Sequence, residues 1–230
     1  LQALRYDAHN PDILYALGIA CYRSEDLDRA LFYMNQLAGR RLPKVHYSLG
    51  LIYWRRDELA HAERHLRLAL EYEPEHMDAA LALGQTLLRQ NRPADAVTVL
   101  RELTARVPDD VGIRFALGMA LLTAEHWEGA VLTFQTVLQL DPGHEDSRLA
   151  CASALMKLRR YDEAEQMLQA MLLRDSRATR ALLALGRLAL LKANRKRAEE
   201  YFRHVLELEP DNEEALEELR YFAPQGRTST

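Results

Sequence analysis

The chain has 230 residues, enough for one or two domains, and its 30 Lys and Arg against 34 Asp and Glu leave a net charge of −4. No basic cluster is interleaved with stacking aromatics, and no run approaches 18 consecutive apolar residues, so nucleic-acid binding and direct membrane insertion are excluded as roles of this segment. Leu1-Gln2-Ala3-Leu4-Arg5 is not a secretory signal, and a start without Met inside a repeat makes the chain an expected excerpt of a longer protein.

Residues 1–10 read as the remnant of an earlier second helix, with Leu1 and Leu4 on its apolar side. From Pro11 onward one lattice governs the sequence. Gly50, Gly84 and Gly118 stand 34 residues apart, and Gly186 lies twice that interval beyond Gly118. Ala62, Ala96, Ala130, Ala164 and Ala198 follow twelve residues after each Gly, or after Ala152, which replaces it; Pro74, Pro108, Pro142 and Pro210 keep the same step. A repeat of this period marks a stacked array. Aligned on the Gly, six units run over 11–42, 43–76, 77–110, 111–144, 145–178 and 179–212, followed by a capping helix at 213–223 and a flexible tail at 224–230.

Each unit opens with an apolar run of helical period, such as Leu14, Leu17 and Cys21, then passes a polar break such as Gln90-Asn91-Arg92-Pro93. A second amphipathic run follows, for example Ala96, Val99, Leu100 and Leu103. Gly within a helix costs about 0.5–1 kcal/mol relative to Ala, so its recurrence predicts a close approach by the backbone of the facing helix. Pro at the end of the second helix is expected to stop it. In the fifth unit Cys151-Ala152 replaces Leu-Gly and Ser176 replaces Pro, which predicts looser packing; the first unit is two residues short, which predicts a tighter bend at Gly39 to Pro43.

These residues resemble the tetratricopeptide repeat, whose skeleton appears as His46-x2-Leu49-Gly50-x2-Tyr53, Ala62-x3-Leu66, Pro74 in the second unit. It recurs as Leu117-Gly118, Ala130-x3-Phe134, Pro142 and as Leu185-Gly186, Ala198-x3-Phe202, Pro210. The resemblance implies an all-α, right-handed superhelical solenoid of helix-turn-helix repeats. It also implies a concave face lined by the first helices, which places there Tyr15, Ile19, Tyr22 and Arg23; Tyr47, Leu51, Trp54 and Arg55; Gln85, Leu88 and Arg89; and Phe115, Met119 and Leu122. Members that clamp a chaperone's terminal carboxylate carry Lys and Asn where this chain has Tyr15 and Ile19, or Tyr47 and Leu51. Members that hold an extended peptide repeat an Asn where this chain has Ala16, Ser48, Ala82, Ala116, Ala150 and Ala184. Both modes are disfavoured.

What remains is an aromatic, apolar trough with an Arg edge, suited to a protein or peptide ligand such as an amphipathic helix, whose acidic residues would meet Arg23 and Arg55. The expected function is a noncatalytic protein-interaction scaffold, bacterial by its Arg-rich, Lys-poor style. The alternatives are a substrate-recruiting array of a larger enzyme or envelope secretion and assembly protein, and a self-associating structural scaffold. No phosphate loop, nucleophile elbow or Cys-x-x-Cys pair is present, so no catalytic residue and no cofactor are expected. His61 and His65 share a helix face but supply only two ligands, and no bound metal is expected. Cys21 and Cys151 read as free, buried thiols that do not settle whether the compartment is cytoplasm or periplasm.

Overall fold

The computed structural model describes residues 10–220. The remnant expected at 1–10, with Leu1 and Leu4, lies outside them except for Asn10, as do the last three residues of the expected cap and the tail at 224–230. The described residues form thirteen α-helices and no strand. They are α1 (Pro11–Arg23), α2 (Leu27–Asn35), α3 (Pro43–Arg55), α4 (Leu59–Tyr72), α5 (Met77–Arg89), α6 (Pro93–Arg106), α7 (Val111–Thr123), α8 (Trp127–Leu140), α9 (Glu145–Lys157), α10 (Tyr161–Arg174), α11 (Thr179–Leu191), α12 (Arg195–Leu208) and α13 (Glu213–Arg220). Within each of its two compact units consecutive helices pack on one another, and the chain is an all-α helical repeat solenoid. It divides into two compact units, Leu1–Ala124 and Glu125–Thr230.

The turn between paired helices is built the same way each time. Glu25, Asp57, Asn91, Glu125, Arg159 and Ala193 all take left-handed backbone, with φ of 57–63°, and none is Gly. The amides after Glu25, Asp57, Asn91, Arg159 and Ala193 bend back onto the preceding helix: Asp26 N to Cys21 O at 2.9 Å, Glu58 N to Tyr53 O at 2.9 Å, Arg92 N to Leu87 O at 2.9 Å, Arg160 N to Leu155 O at 2.9 Å and Asn194 N to Ala189 O at 2.8 Å. That six-to-one bond satisfies a helix-end carbonyl. Asp26 and Asn194 then cap the following helix with their side chains.

Proline does not by itself stop the second helices. Helix α10, which lacks it, ends on Asp175 at φ −139° and ψ 104°, close to the φ −141° and ψ 87° of Glu73 before Pro74. The Asp175 carboxylate accepts the Arg177 amide at 2.9 Å, a local turn that replaces the restraint of a following proline. The residues missing from the first repeat come out of its second helix: α2 has nine residues where α4 has fourteen.

The glycine expectation needs correcting. What crowds these glycines is a side chain sixteen residues later, not facing backbone: Met34 opposite Gly18, Leu66 opposite Gly50, Leu100 opposite Gly84, Phe202 opposite Gly186. At Gly50 a Cβ would lie 2.7 Å from Leu66 Cδ2, whereas the nearest backbone atom, Ala62 O, is at 3.5 Å. The missing side chain leaves a socket for a large knob from the second helix, and every knob is fully buried. In the fifth repeat Ala152 stands in the glycine's place, and both it and Leu168, sixteen residues later, are fully buried.

In the first unit the core begins with Leu14, Ala30, Met34, Leu37, Val45, Leu49 and Ile52. In the second it closes with Leu182, Phe202 and Val205 under Ala215 of α13. The cap seats Ala215 and Leu219, an i, i+4 pair on one face, and leaves Leu216 39% exposed. Leu216, one residue after Ala215, is rotated about a third of a turn off that face.

Ion pairs between successive helix pairs have a direction. The base comes from the later pair and the acid from the earlier one in Arg56–Asp28, Arg92–Glu63 (2.7 Å), Arg106–Glu75 (3.6 Å), Arg180–Asp146 (2.7 Å) and Lys192–Asp162 (2.9 Å). Arg187 runs the other way, reaching forward to Glu214 and Glu218 of α13.

Candidate partner-binding cleft

The cleft lies in the first compact unit, where α1, α3 and α5 follow one another. Tyr22, Leu51, Trp54, Arg55, Leu66, Ala82, Gln85 and Thr86 line about 160 Å³ of space. Tyr22 comes from the end of α1, Leu51 and Trp54 from successive turns of α3, and Gln85 from the middle of α5. Leu66 is the knob that fills the Gly50 socket, so the floor is part of the packed α3–α4 pair.

Two arginines fix the rings. The Arg55 guanidinium lies 5.0 Å from the Tyr22 ring centroid and bonds Glu25 at 3.2 Å. Arg89 repeats the arrangement one helix later: it lies 4.5 Å from the Trp54 ring, donates to the Trp54 carbonyl at 3.1 Å and bonds Asp57 at 2.7 Å. Glu25 and Asp57 occupy the left-handed turn positions, which brings their carboxylates beside the next first helix. Both pairs are exposed, so they add little to stability; their effect is to hold each ring between a cation and the chain.

Of the residues expected on the concave face, Tyr22, Leu51, Trp54, Arg55 and Gln85 meet in the cleft, and Arg89 backs it through Trp54. Tyr15 is turned to Ser48, hydroxyl to hydroxyl at 3.4 Å, under the Lys44 ammonium, and Ile19 packs at the edge of the core. Tyr47 sits against His76 with centroids 4.8 Å apart; burial, and then the Asp78 charge, push its phenol up from the usual tyrosine range. Leu88, Phe115, Met119 and Leu122 are half-buried outside the cleft lining, and Arg23 is exposed with no ion pair to a described residue. Arg55 already has an acidic partner within the chain, the exposed carboxylate of Glu25.

Sequence reasoning missed Leu66, Ala82 and Thr86, which the cleft draws from outside the aligned face. It also missed Glu25 and Asp57. Their signal was present, since Tyr22-Arg23-Ser24-Glu25 and Trp54-Arg55-Arg56-Asp57 share an aromatic-Arg-x-acid word.

His61 and His65 do not converge. The Tyr53 ring stacks on both, His61 bonds Glu58 at 3.4 Å, and His65 faces His46. Among the described residues no three side chains are grouped to hold a metal, and no helix is long and apolar enough to cross a membrane. A smaller space of about 120 Å³ in the second unit is walled by Lys192, Arg197 and Glu165, whose charges are mutually paired.

A stack of paired helices of this repeating kind is the architecture of a protein-interaction scaffold. Sequence models of the tetratricopeptide repeat match residues 1–45, 47–103 and 81–145, with further matches over 121–188 and 179–212; the chain belongs to that family. No curated protein matches it. Among solved structures it is similar to PilW, described as a widely conserved type IV pilus biogenesis factor, at 19% identity and a TM-score of 0.76 over 91% of this chain and 98% of that one. PilF of Pseudomonas aeruginosa gives 22% identity and 0.69 over 92% and 97%. YrrB, described as a repeat protein with an unusual peptide-binding site, gives 20% and 0.59 over 95% and 96%. Identities this low speak for the fold alone.

Proposed function

We propose that this chain is a noncatalytic scaffold that captures a partner peptide or helix by seating one large apolar side chain in the cleft between Tyr22, Leu51, Trp54 and Gln85. The observation that carries this reading is the ordering of the rings. Tyr22 and Trp54 are each held by an arginine that is itself held by an acid, so little freedom is left to lose when a ligand arrives. A space of about 160 Å³ is the size that accepts a leucyl or phenyl group. The Gln85 amide is exposed at the rim and able to bond a ligand backbone. With Arg55 and Arg89 neutralised in place, ligand selection rests on shape and apolar area more than on acidic residues. The likeness to a repeat protein with a peptide-binding site and to bacterial pilus proteins agrees with a bacterial interaction module.

Capture from lysate of the source organism tests the reading. Trp54→Ala is expected to weaken retention of the bound partner about thirtyfold, the equivalent of about 2 kcal/mol for a hot spot, while Arg101→Ala on the exposed side of α6 leaves it unchanged. Leu51→Arg, which fills the cleft, should abolish retention. Equal capture by all three folded variants would move the binding surface elsewhere.

A further inference from the structure

Behind the cleft, two histidines meet where α3 packs on α4. His46 Nδ1 lies 3.0 Å from His65 Nδ1, with the rings stacked at 20°. A bond between two such nitrogens needs one proton on one of them. The first proton that the pair takes up goes to an outer Nε2 and charges one ring with the bond still made; charging both rings would set two N–H donors head to head. His46 is 3% exposed, and its Nε2 is buried without a hydrogen-bond partner, so a charge there has no water to spread into.

The surroundings do not compensate. From α4, Arg64 and His61 add positive charge near His65, and Tyr72 tilts against His46 with centroids 5.4 Å apart. From α3, Tyr53 covers His65; from the segment before α3, Arg41 lies over the Tyr72 ring and the Arg40 carbonyl modestly favours a charged His46. Among the described residues no hydrogen bond, ion pair or ring contact joins a side chain of α2 or α5 to either histidine. Glu58, just before α4, is engaged by Arg56 and His61. Burial is the leading cause that lowers both imidazoles, and His65 is taken down to about 4.

The pair is joined directly to the cleft. Leu66, next to His65 in sequence, is both a cleft wall and the knob in the Gly50 socket. Parting α3 from α4 at the histidines would withdraw that knob.

We propose that the His46–His65 contact is an acid-sensitive clasp between α3 and α4, which opens on proton uptake and releases whatever the cleft holds. The release step rests on the binding reading above; the clasp itself does not. A histidine lowered in the folded state contributes stability that is fully present above its unfolded value of about 6.5 and lost as pH falls from there towards 4.

The test needs no ligand. In a Trp127→Phe background Trp54 is the one remaining tryptophan, so its emission reports the cleft. Between pH 7 and 5 the protein should lose about 5 °C of melting temperature and shift its Trp54 emission. His65→Phe, which keeps the stack on Tyr53, should lose both responses, and His61→Gln should keep them. The same acid response in His65→Phe as in the unsubstituted histidine pair, or an unmoved Trp54, would overturn the clasp. Should His65→Phe not fold, histidine ring NMR of the parent protein decides: titration of His46 and His65 well below the ordinary range supports the clasp, and ordinary titration refutes it. Cleft binding that proves absent while these responses persist would remove the release step and leave the clasp.

Discussion

A Cβ placed on Gly186 would stand 2.5 Å from Cε1 of Phe202, closer than two carbons can approach. Phe202 is fully buried and cannot swing aside. Gly186→Ala therefore sets a helix-propensity gain of about 1 kcal/mol against an overpacking cost of about 1–3 kcal/mol. The expected result is a net loss of about 1 kcal/mol, seen as a melting temperature lower by about 2–4 °C. Gly39 has open space where its Cβ would be and no positive φ, so Gly39→Ala should hold or raise stability. Equal behaviour of the two variants in thermal melts would refute the socket.

The left-handed turns make an opposite expectation for a residue that is not Gly. Ala193 sits at φ 57°, where a Cβ costs about 1 kcal/mol and serves no contact through a polar side chain. Ala193→Gly should raise urea resistance by about 0.5–1 kcal/mol with an unchanged m-value. A loss of stability would show that the Cβ packs usefully in the turn.

Removing the latch should free the ring without unfolding the helix. Arg89→Ala deletes an exposed pair worth less than about 1 kcal/mol, so the melting temperature should stay within a few degrees. The indole of Trp54 should nevertheless move more. In the Trp127→Phe background, fluorescence anisotropy of Trp54 is expected to fall; an unchanged value would mean that Leu51 and Leu66 alone hold the ring.

Deleting 213–230 uncovers the face that Ala215 and Leu219 seal and releases Arg187 from Glu214 and Glu218. The truncated chain should melt earlier and associate in sedimentation experiments. A double substitution, Ala215→Asp with Leu219→Asp, should reproduce most of the effect, whereas Leu216→Asp should not.

The thiols should differ in reactivity. Cys151 is fully buried and burial pushes its thiol up to about 11, while Cys21 is only half-buried. A disulfide reagent at pH 8 should label Cys21 faster than Cys151 in the native protein, and both alike in denaturant. Rapid native labelling of Cys151 would point to frequent opening of α9 from α10.

The repeat lattice was legible because close packing tolerates so few residues at its sockets: Gly50, Gly84 and Gly186 recur for want of an alternative. The family followed from the same letters. The reason for the glycines was read wrongly, because a side chain sixteen positions away leaves no mark at the glycine itself. The left-handed turns were invisible for a related reason, since Glu25, Asp57, Arg159 and Ala193 share a backbone conformation but no side-chain chemistry. In the cleft, the helical period located Tyr22, Leu51, Trp54 and Gln85. The partnership of Arg55 with Glu25 depends on where a turn sets an acid beside the next helix, which a single-helix projection does not contain. The His46–His65 contact likewise joins two helix faces that were read separately.

The bases that reach back to acids of the preceding helix pair give the array a sense of direction. Within the compact units a later pair completes the surface of an earlier one, and the cleft's rings depend on arginines supplied from downstream. Cutting the chain after α4 would leave Trp54 without Arg89 while Tyr22 kept Arg55, so damage would spread towards the N-terminus only. The same asymmetry makes joints selective: pairs stacked head to tail bring base to acid, whereas pairs stacked head to head confront base with base. A graft that lengthens this protein must respect that order, offering acids to whatever follows and bases to whatever it follows.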